Sequence, residues 1–158
     1  INDYMPKLCQ DGLLKFYKDD ALSLSTLYHI RGNMDELLNS KVWLPSGANI
    51  IIETLETLTV IDVNSGKNQS RKEDTILKIN LEAAREIARQ LKLRNISGMI
   101  IVDFINLKSQ EQKEELIRCI RQELKKDTVP AQFIDITRLG LVELTRKKVY
   151  KSLREILQ

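Results

Sequence analysis

The hydrophobic pattern of the chain changes period several times, and each change predicts an element. Two short apolar runs stand out, Thr57-Leu58-Thr59-Val60-Ile61-Asp62 and Gly98-Met99-Ile100-Ile101-Val102-Asp103. Both are rich in Ile and Val and both close on a carboxylate, which reads as a pair of buried β-strands. Ser65 to Glu73 is polar and contains glycine, hence a loop. From Asp74 to about Leu93 the apolar positions Leu77, Leu81, Ala84, Ala88 and Leu91 recur at helical spacing, which predicts an amphipathic helix. Strand, helix, strand implies a crossover between two parallel strands, whose ends share one edge of a sheet.

The flanking segments extend this pattern. Lys41 to Leu44 reads as a strand, Pro45-Ser46-Gly47 as a turn and Asn49 to Glu53 as the returning strand of a hairpin. A second helix is expected over Ser109 to Lys126, with Leu116, Ile117, Ile120 and Leu124 inward. Strands follow at Ala131 to Ile136 and Leu141 to Thr145, and a helix at Tyr150 to Leu157. Residues 1–40 lack a clear long period, apart from a short helix at Met34 to Leu38 with Asn33 as its N-cap. The expected fold class is α/β, a mixed sheet with a mostly parallel core flanked by helices.

Composition narrows the classes. The chain has 158 residues, 42% hydrophobic and 30% charged, which suits one domain with a real core and perhaps an appended piece. A net charge of +3 and a pI near 8.8 permit an acidic partner without requiring one. No apolar run approaches the roughly 20 residues that span a bilayer, and no signal peptide is visible. The chain opens on Ile1, so an excised fragment is expected. Cys9 and Cys119 form no CxxC pair, Cys119 reads as a small buried side chain, and a reducing, cytoplasmic setting is the simplest reading. One histidine, His29, argues against a His-based zinc site or a Ser/His/Asp triad and reads as structural. Aromatics at 5% argue against a base-stacking sheet surface, and Trp43 reads as core.

The chemistry concentrates at the shared strand edge, where open α/β sheets bind ligands. Asp62 and Asp103 should converge there, and two carboxylates suit Mg²⁺, which prefers oxygen ligands. Asn64 shares the face of Asp62 and suits hydrogen bonding to a carboxylate, a water or a phosphate oxygen. Lys67, Arg71 and Lys72 in the following loop would hold a polyanion near a metal that activates water for phosphodiester hydrolysis. Each piece has a plainer reading: strand-end aspartates as turn caps, Asn64-Ser65-Gly66 as a turn, loop cations as solvated charge.

Several blocks together resemble the ribonuclease E/G family. They are Leu44-Pro45-Ser46-Gly47, Thr57 to Gly66, Asn80 to Ala84 with Glu86 to Leu91, Gly98 to Ile105, and Ile136 to Lys147. The resemblance implies a DNase I-like catalytic subdomain over 41–148, preceded in 1–40 by the tail of an RNase H-like subdomain. Residues 149–158 would begin a linker toward a zinc-link. It implies an endoribonuclease cutting single-stranded RNA to 5′-phosphate and 3′-hydroxyl ends in RNA processing and decay. It places the catalytic set on Asp62, Asp103 and Asn64, with Mg²⁺ (Mn²⁺ as substitute) on the two aspartates. RNA contacts are expected from Lys67, Arg71, Lys72, Arg138 and Arg146. The full-length protein is expected to be a cytoplasmic homo-oligomer holding zinc, and this piece to hold no zinc and to turn over weakly or not at all. The alternative is a non-catalytic RNA-contacting or scaffolding unit with structural aspartates.

Overall fold

The computed structural model of the chain describes residues 17–66 and 73–157. The chain divides into two units, residues 1–36 and 37–158. In the first, Ser23 caps a single helical turn, α1 (Leu24–Leu27), by accepting the Thr26 N–H at 3.1 Å. His29, exposed and at φ 49°, links α1 to α2 (Ile30–Leu38). Asn33 therefore lies inside α2 rather than capping it, and its side-chain amide donates back to the Tyr28 carbonyl at 3.3 Å. An N-cap was expected because Asn before an apolar pair matches that pattern; the helix instead starts earlier, on weakly apolar residues.

The second unit is a six-stranded sheet in the order β1-β2-β3-β4-β6-β5. The strands are β1 (Lys41–Trp43), β2 (Asn49–Thr54), β3 (Leu58–Asn64), β4 (Gly98–Asp103), β5 (Ala131–Ile136) and β6 (Val142–Arg146). The sheet is mixed, and parallel pairing is confined to its central pair, β3 and β4; the pairings on either side are antiparallel. The helices are α3 (Glu73–Leu93), α4 (Gln110–Leu124) and α5 (Leu153–Leu157). The parallel pair at the centre follows from α3, which carries the chain back so that β4 starts at the same edge as β3.

Period-two alternation gives the sheet two unlike faces. Thr59, Ile61 and Val63 of β3, Ile100 and Val102 of β4, and Val142 and Leu144 of β6 are buried. They join one core with Ile79, Ala83 and Ile87 of α3 and Leu116, Ile120 and Leu124 of α4. Burying each such Ile or Leu contributes about 1.5–3 kcal/mol. Of the expected stripe of α3, Ala84 and Leu91 are buried, while Leu77, Leu81 and Ala88 are only partly buried; Ile79, Ala83 and Ile87 join the buried centre. The partly buried Leu77, Leu81 and Ala88 pack against the same core, so the apolar surface of α3 is wider than one stripe.

The alternate residues form the second face, which carries Lys41, Trp43, Asp62, Asn64 and Asp103. Trp43 is 64% exposed and is not core. On this short edge strand it faces away from the helices, and the Lys41 ammonium lies 4.1 Å from its ring centroid. Cys119 is half-buried, its thiol 3.9 Å from the Leu81 carbonyl, and burial pushes the thiol pKa up. Cys9 lies outside the described residues. Among the described residues no helix is long and apolar enough to cross a membrane.

Candidate active site

Asp62 and Asp103 are direct partners in the β3–β4 register. Neighbouring strands lie about 4.8 Å apart, and parallel partners point to the same face. The two carboxylates therefore stand side by side on the face away from the helices, at the edge where both strands end. Asp62 is half-buried and Asp103 exposed. Asn64, next on the same face of β3, donates its side-chain amide to Asp62 Oδ2 at 2.6 Å. That bond orients one carboxylate oxygen and leaves the other available. The structure thus brings together all three residues that the sequence places at this edge. Among the described residues no group of three or more His, Cys, Asp and Glu converges as a metal cage. The available donor set is two carboxylates, and Mg²⁺ is commonly held by one or two carboxylates while keeping several waters.

Three contacts hold this edge from behind and beside. The first is a close approach of two turns. Gly66, at φ 64°, follows Asn64, and a Cβ built on it would overlap the Gly47 carbonyl oxygen. Only glycine allows the β1–β2 turn and the exit of β3 to touch in this way. The second is Glu82 of α3, whose carboxylate accepts the Ser46 N–H at 3.2 Å and ties the same turn to the helix layer. The third is Asn80 of α3, fully buried, which grips the backbone of Ile105 from both sides. Its amide donates to the Ile105 carbonyl at 2.7 Å, and its oxygen accepts the Ile105 N–H at 3.1 Å. Ile105 follows Asp103 closely, so this clamp sets the path of the chain as it leaves β4. A buried polar side chain satisfied by backbone groups of another element is a strong local constraint.

Beside Asp103 opens a cavity of about 240 Å³, between the chain leaving β4, α4 and the β5–β6 turn. Its wall is mostly apolar, including Phe104, Leu107, Leu116 and Val142, with Lys113 and Leu139 at it as well. The turn is shaped by Gly140 at φ 90° and by a Thr137 carbonyl that accepts the Gly140 N–H at 2.9 Å. It presents Leu139, 87% exposed, next to exposed Arg138. Lys67, Arg71 and Lys72 lie outside the described residues.

Arg146 does not belong to an RNA-facing surface. Its side chain is 2% exposed, and its Nε donates to Asp127 Oδ2 at 2.8 Å. Its Nη1 donates to Asn95 Oδ1 at 2.8 Å and to the Ile96 carbonyl at 3.0 Å. Burial pushes the Asp127 carboxyl pKa up, but the Arg146 guanidinium and the Val129 N–H outweigh it and hold it below the usual value. Arg146 is at the opposite end of the sheet from the aspartates, pairing with Gly98 at the start of β4. In the sequence it is one cation among several near the C-terminal end of the chain, and nothing local distinguishes a buried arginine from a surface one.

Asn80 and Glu82 carry no role in the sequence reading, although both lie in blocks that resemble the family. A signal was present for Asn80: an amide on the apolar side of a long helix needs a partner in the core. The partner, a backbone group across the crossover, is visible only after folding.

The family model described as the Ribonuclease E/G family matches residues 1–149. Ribonuclease E of Synechocystis sp. (strain ATCC 27184 / PCC 6803 / Kazusa) is 44% identical over 148 residues, covering 92% of this chain and 22% of that protein. The Ribonuclease E/G-like protein of Porphyra purpurea is 43% identical over 145 residues, covering 90% of this chain and 28% of that protein. Ribonuclease G of Escherichia coli (strain K12) is 37% identical over 133 residues, covering 83% and 27% respectively. The chain thus spans less than a third of the length of each of these relatives. A match along nearly the whole chain, with the paired aspartates at the centre of the matched sheet, places this chain in the Ribonuclease E/G family.

Proposed function

We propose that this chain is the catalytic subdomain of a Mg²⁺-dependent endoribonuclease, which hydrolyses phosphodiester bonds of single-stranded RNA to leave 5′-phosphate and 3′-hydroxyl ends. The observation that carries the reading is the Asp62–Asp103 pair, in register and with no ion pair among the described residues, on the exposed face of a sheet from a ribonuclease family. Paired acids without a basic partner repel each other, and a hard cation removes that repulsion. Asp62 and Asp103 would hold the metal, which when bound supplies Lewis-acid chemistry for phosphoryl transfer.

The surrounding residues bind and orient. Asn64 keeps Asp62 in one rotamer through its amide, so the carboxylate loses little entropy on binding. Asn80 holds the backbone beyond Asp103. The cavity beside Asp103 is smaller than the roughly 300–1,000 Å³ of drug-sized pockets and suits one unstacked base. Single-stranded RNA offers such bases, splayed from the strand. Lys113 of its wall, and Arg138 beside Leu139 in the adjoining turn, would meet the neighbouring phosphates.

The test is an NMR titration of the chain with Mg²⁺ and Mn²⁺, wild type beside Asp62→Asn and Asp103→Asn, paired with cleavage assays on the full-length parent. Localised shifts at residues 62–64 and 103 that vanish in both variants, with cleavage reduced at least about 100-fold, are expected. Metal shifts that persist in both variants, or cleavage that survives them, would remove the two carboxylates from the chemistry and leave a non-catalytic RNA-contacting unit.

A further inference from the structure

The edge of the sheet opposite the aspartates holds a second pocket, of about 260 Å³. It lies between Asn39 and Ser40 before β1, the end of β2, and the Ser152–Arg154 segment. Arg94, just past the end of α3, forms part of its wall and is only 8% exposed. One side of its guanidinium is fixed: Nε donates to Gln90 Oε1 at 2.7 Å, and Gln90 in turn donates to Glu86 Oε1 at 2.6 Å. The other side is not. Nη2 is buried and has no hydrogen-bond partner among the described residues. Buried donors are almost always paired, so an orphan on a charged group calls for a missing acceptor.

The rest of the lining supplies more donors and no acid. Arg154 adds a second arginine to the lining, and among the described residues no Asp or Glu lines the pocket, the Glu155 carboxylate being bonded to the Ser152 N–H. Ser152 is committed to Glu155: its Oγ accepts the Glu155 N–H at 3.2 Å, and its N–H donates to the Glu155 carboxylate at 2.7 Å. The Ser40 carbonyl accepts the Ile52 N–H at 2.8 Å and so pins the residue that brings its hydroxyl to the pocket. Burial depresses the Arg94 pKa; Glu86 opposes this, and the nearby Arg154 charge adds to it. An anion between the two guanidinium groups would relieve both. The fixed Arg94 fork presents planar donors of the kind that match phosphate and carboxylate oxygens. Two guanidiniums and the Ser40 hydroxyl around one space outnumber the two oxygens of a carboxylate and suit the oxygens of a phosphate.

We propose that this pocket binds a phosphate group, with the Arg94 and Arg154 guanidiniums as cationic donors and Ser40 as hydroxyl donor. This phosphate is not the one that would be cleaved. Thr54 of the pocket pairs with Thr59, and the strand from Thr59 to Asp62 covers about 10 Å at the usual rise of about 3.3 Å per residue. The inference does not depend on the role of the aspartates.

The test uses the 158-residue chain and NMR of backbone amides and arginine Nε–Hε groups. Sodium phosphate is titrated against sodium chloride at matched ionic strength. Saturable shifts of the Arg94 Nε–Hε group and of the Ser40, Ser152 and Leu153 amides are expected with phosphate and not with chloride. Arg154→Ala, at an exposed position, should keep the fold and weaken phosphate binding about 10-fold, the loss of one charge-assisted bond; Arg94→Met should abolish it. Asp62→Asn should leave these shifts intact, which separates this site from the metal reading. Equal responses to phosphate and chloride, or phosphate affinity unchanged in Arg154→Ala, would overturn the proposal. Two further arms identify the source. A short oligoribonucleotide with hydroxyl ends that moves the same signals marks an RNA backbone phosphate. A response to adenosine monophosphate but not to that oligonucleotide marks a terminal phosphate.

Discussion

The two ends of the same sheet handle charge in opposite ways. At one end, Arg146 and Asp127 are sealed in the interior, and the Arg146 guanidinium donates to Asp127, Asn95 and the Ile96 carbonyl. At the other, Asp62 and Asp103 stand together at the surface, and among the described residues one side-chain amide, that of Asn64, donates to Asp62. The first arrangement is a finished structural joint, tying β6, the segment after α4 and the C-terminal end of α3 together. The second leaves carboxylate oxygens unpaired among the described residues, as the proposed metal site requires. The difference teaches that residue type is a poor guide to role in this fold: a cation sits in the core and a pair of acids at the edge, and pairing separates them.

Substitutions at the two ends should therefore fail in different ways. The largest effect is expected from Arg146→Met, which strands Asp127 in the interior; the loss should be about 3–5 kcal/mol of stability. Urea denaturation would check it, and a loss below about 1 kcal/mol would show that the joint is not the anchor described. Asp62→Asn and Asp103→Asn should do the reverse. Stability should stay within about 0.5 kcal/mol of wild type, while cleavage by the parent falls at least about 100-fold. A large stability loss in either would make the aspartates structural and erase the contrast.

A smaller effect is expected from Asn64→Ala. It removes the bond to Asp62 but no ligand, so cleavage should fall about 10-fold, within the range for partners that orient metal ligands. An unchanged rate would exclude Asn64 from the site. The mildest test is acid. The Ser152 N–H, 2.7 Å from Glu155 Oε2, together with the Ser152 hydroxyl holds the Glu155 carboxyl at a pKa of about 2, below its ordinary 4.5. Asp127 is also held below its ordinary 3.8. A depressed carboxylate pKa contributes stability above the ordinary value and loses it as pH falls through the folded one. The urea midpoint should decline below about pH 4.5 and keep falling toward pH 2. Asp127→Asn should flatten part of that slope; an unchanged slope would show that the joint does not contribute to it.

Much of this was legible in the chain. The strands ending on Asp62 and Asp103, the crossover helix, the second helix and the two late strands were all carried by local periodicity, and their observed bounds differ by only a residue or two for most elements. The placement of Asn64 beside Asp62 followed from the two-residue repeat of a strand. Elsewhere local pattern misled. Trp43 sits on an apolar-looking strand, but that strand is a short edge and its face points outward. Arg146 looks like its exposed neighbours Lys147 and Lys148, yet it is buried because β6 alternates and its turn falls inward.

Local periodicity and charge type by themselves determined the α/β class, the parallel central pair and the edge at which two carboxylates meet, because those follow from which residues prefer to leave water along one strand or helix. Only the tertiary structure decided what each polar group is bonded to. It matched Asn80 to the Ile105 backbone, Arg146 to Asp127, and Gly66 to the Gly47 carbonyl, and left Arg94 Nη2 with no partner among the described residues. Those pairings join residues distant in sequence, and a hydrogen bond depends on a donor and an acceptor arriving within about 3 Å, which no local pattern encodes.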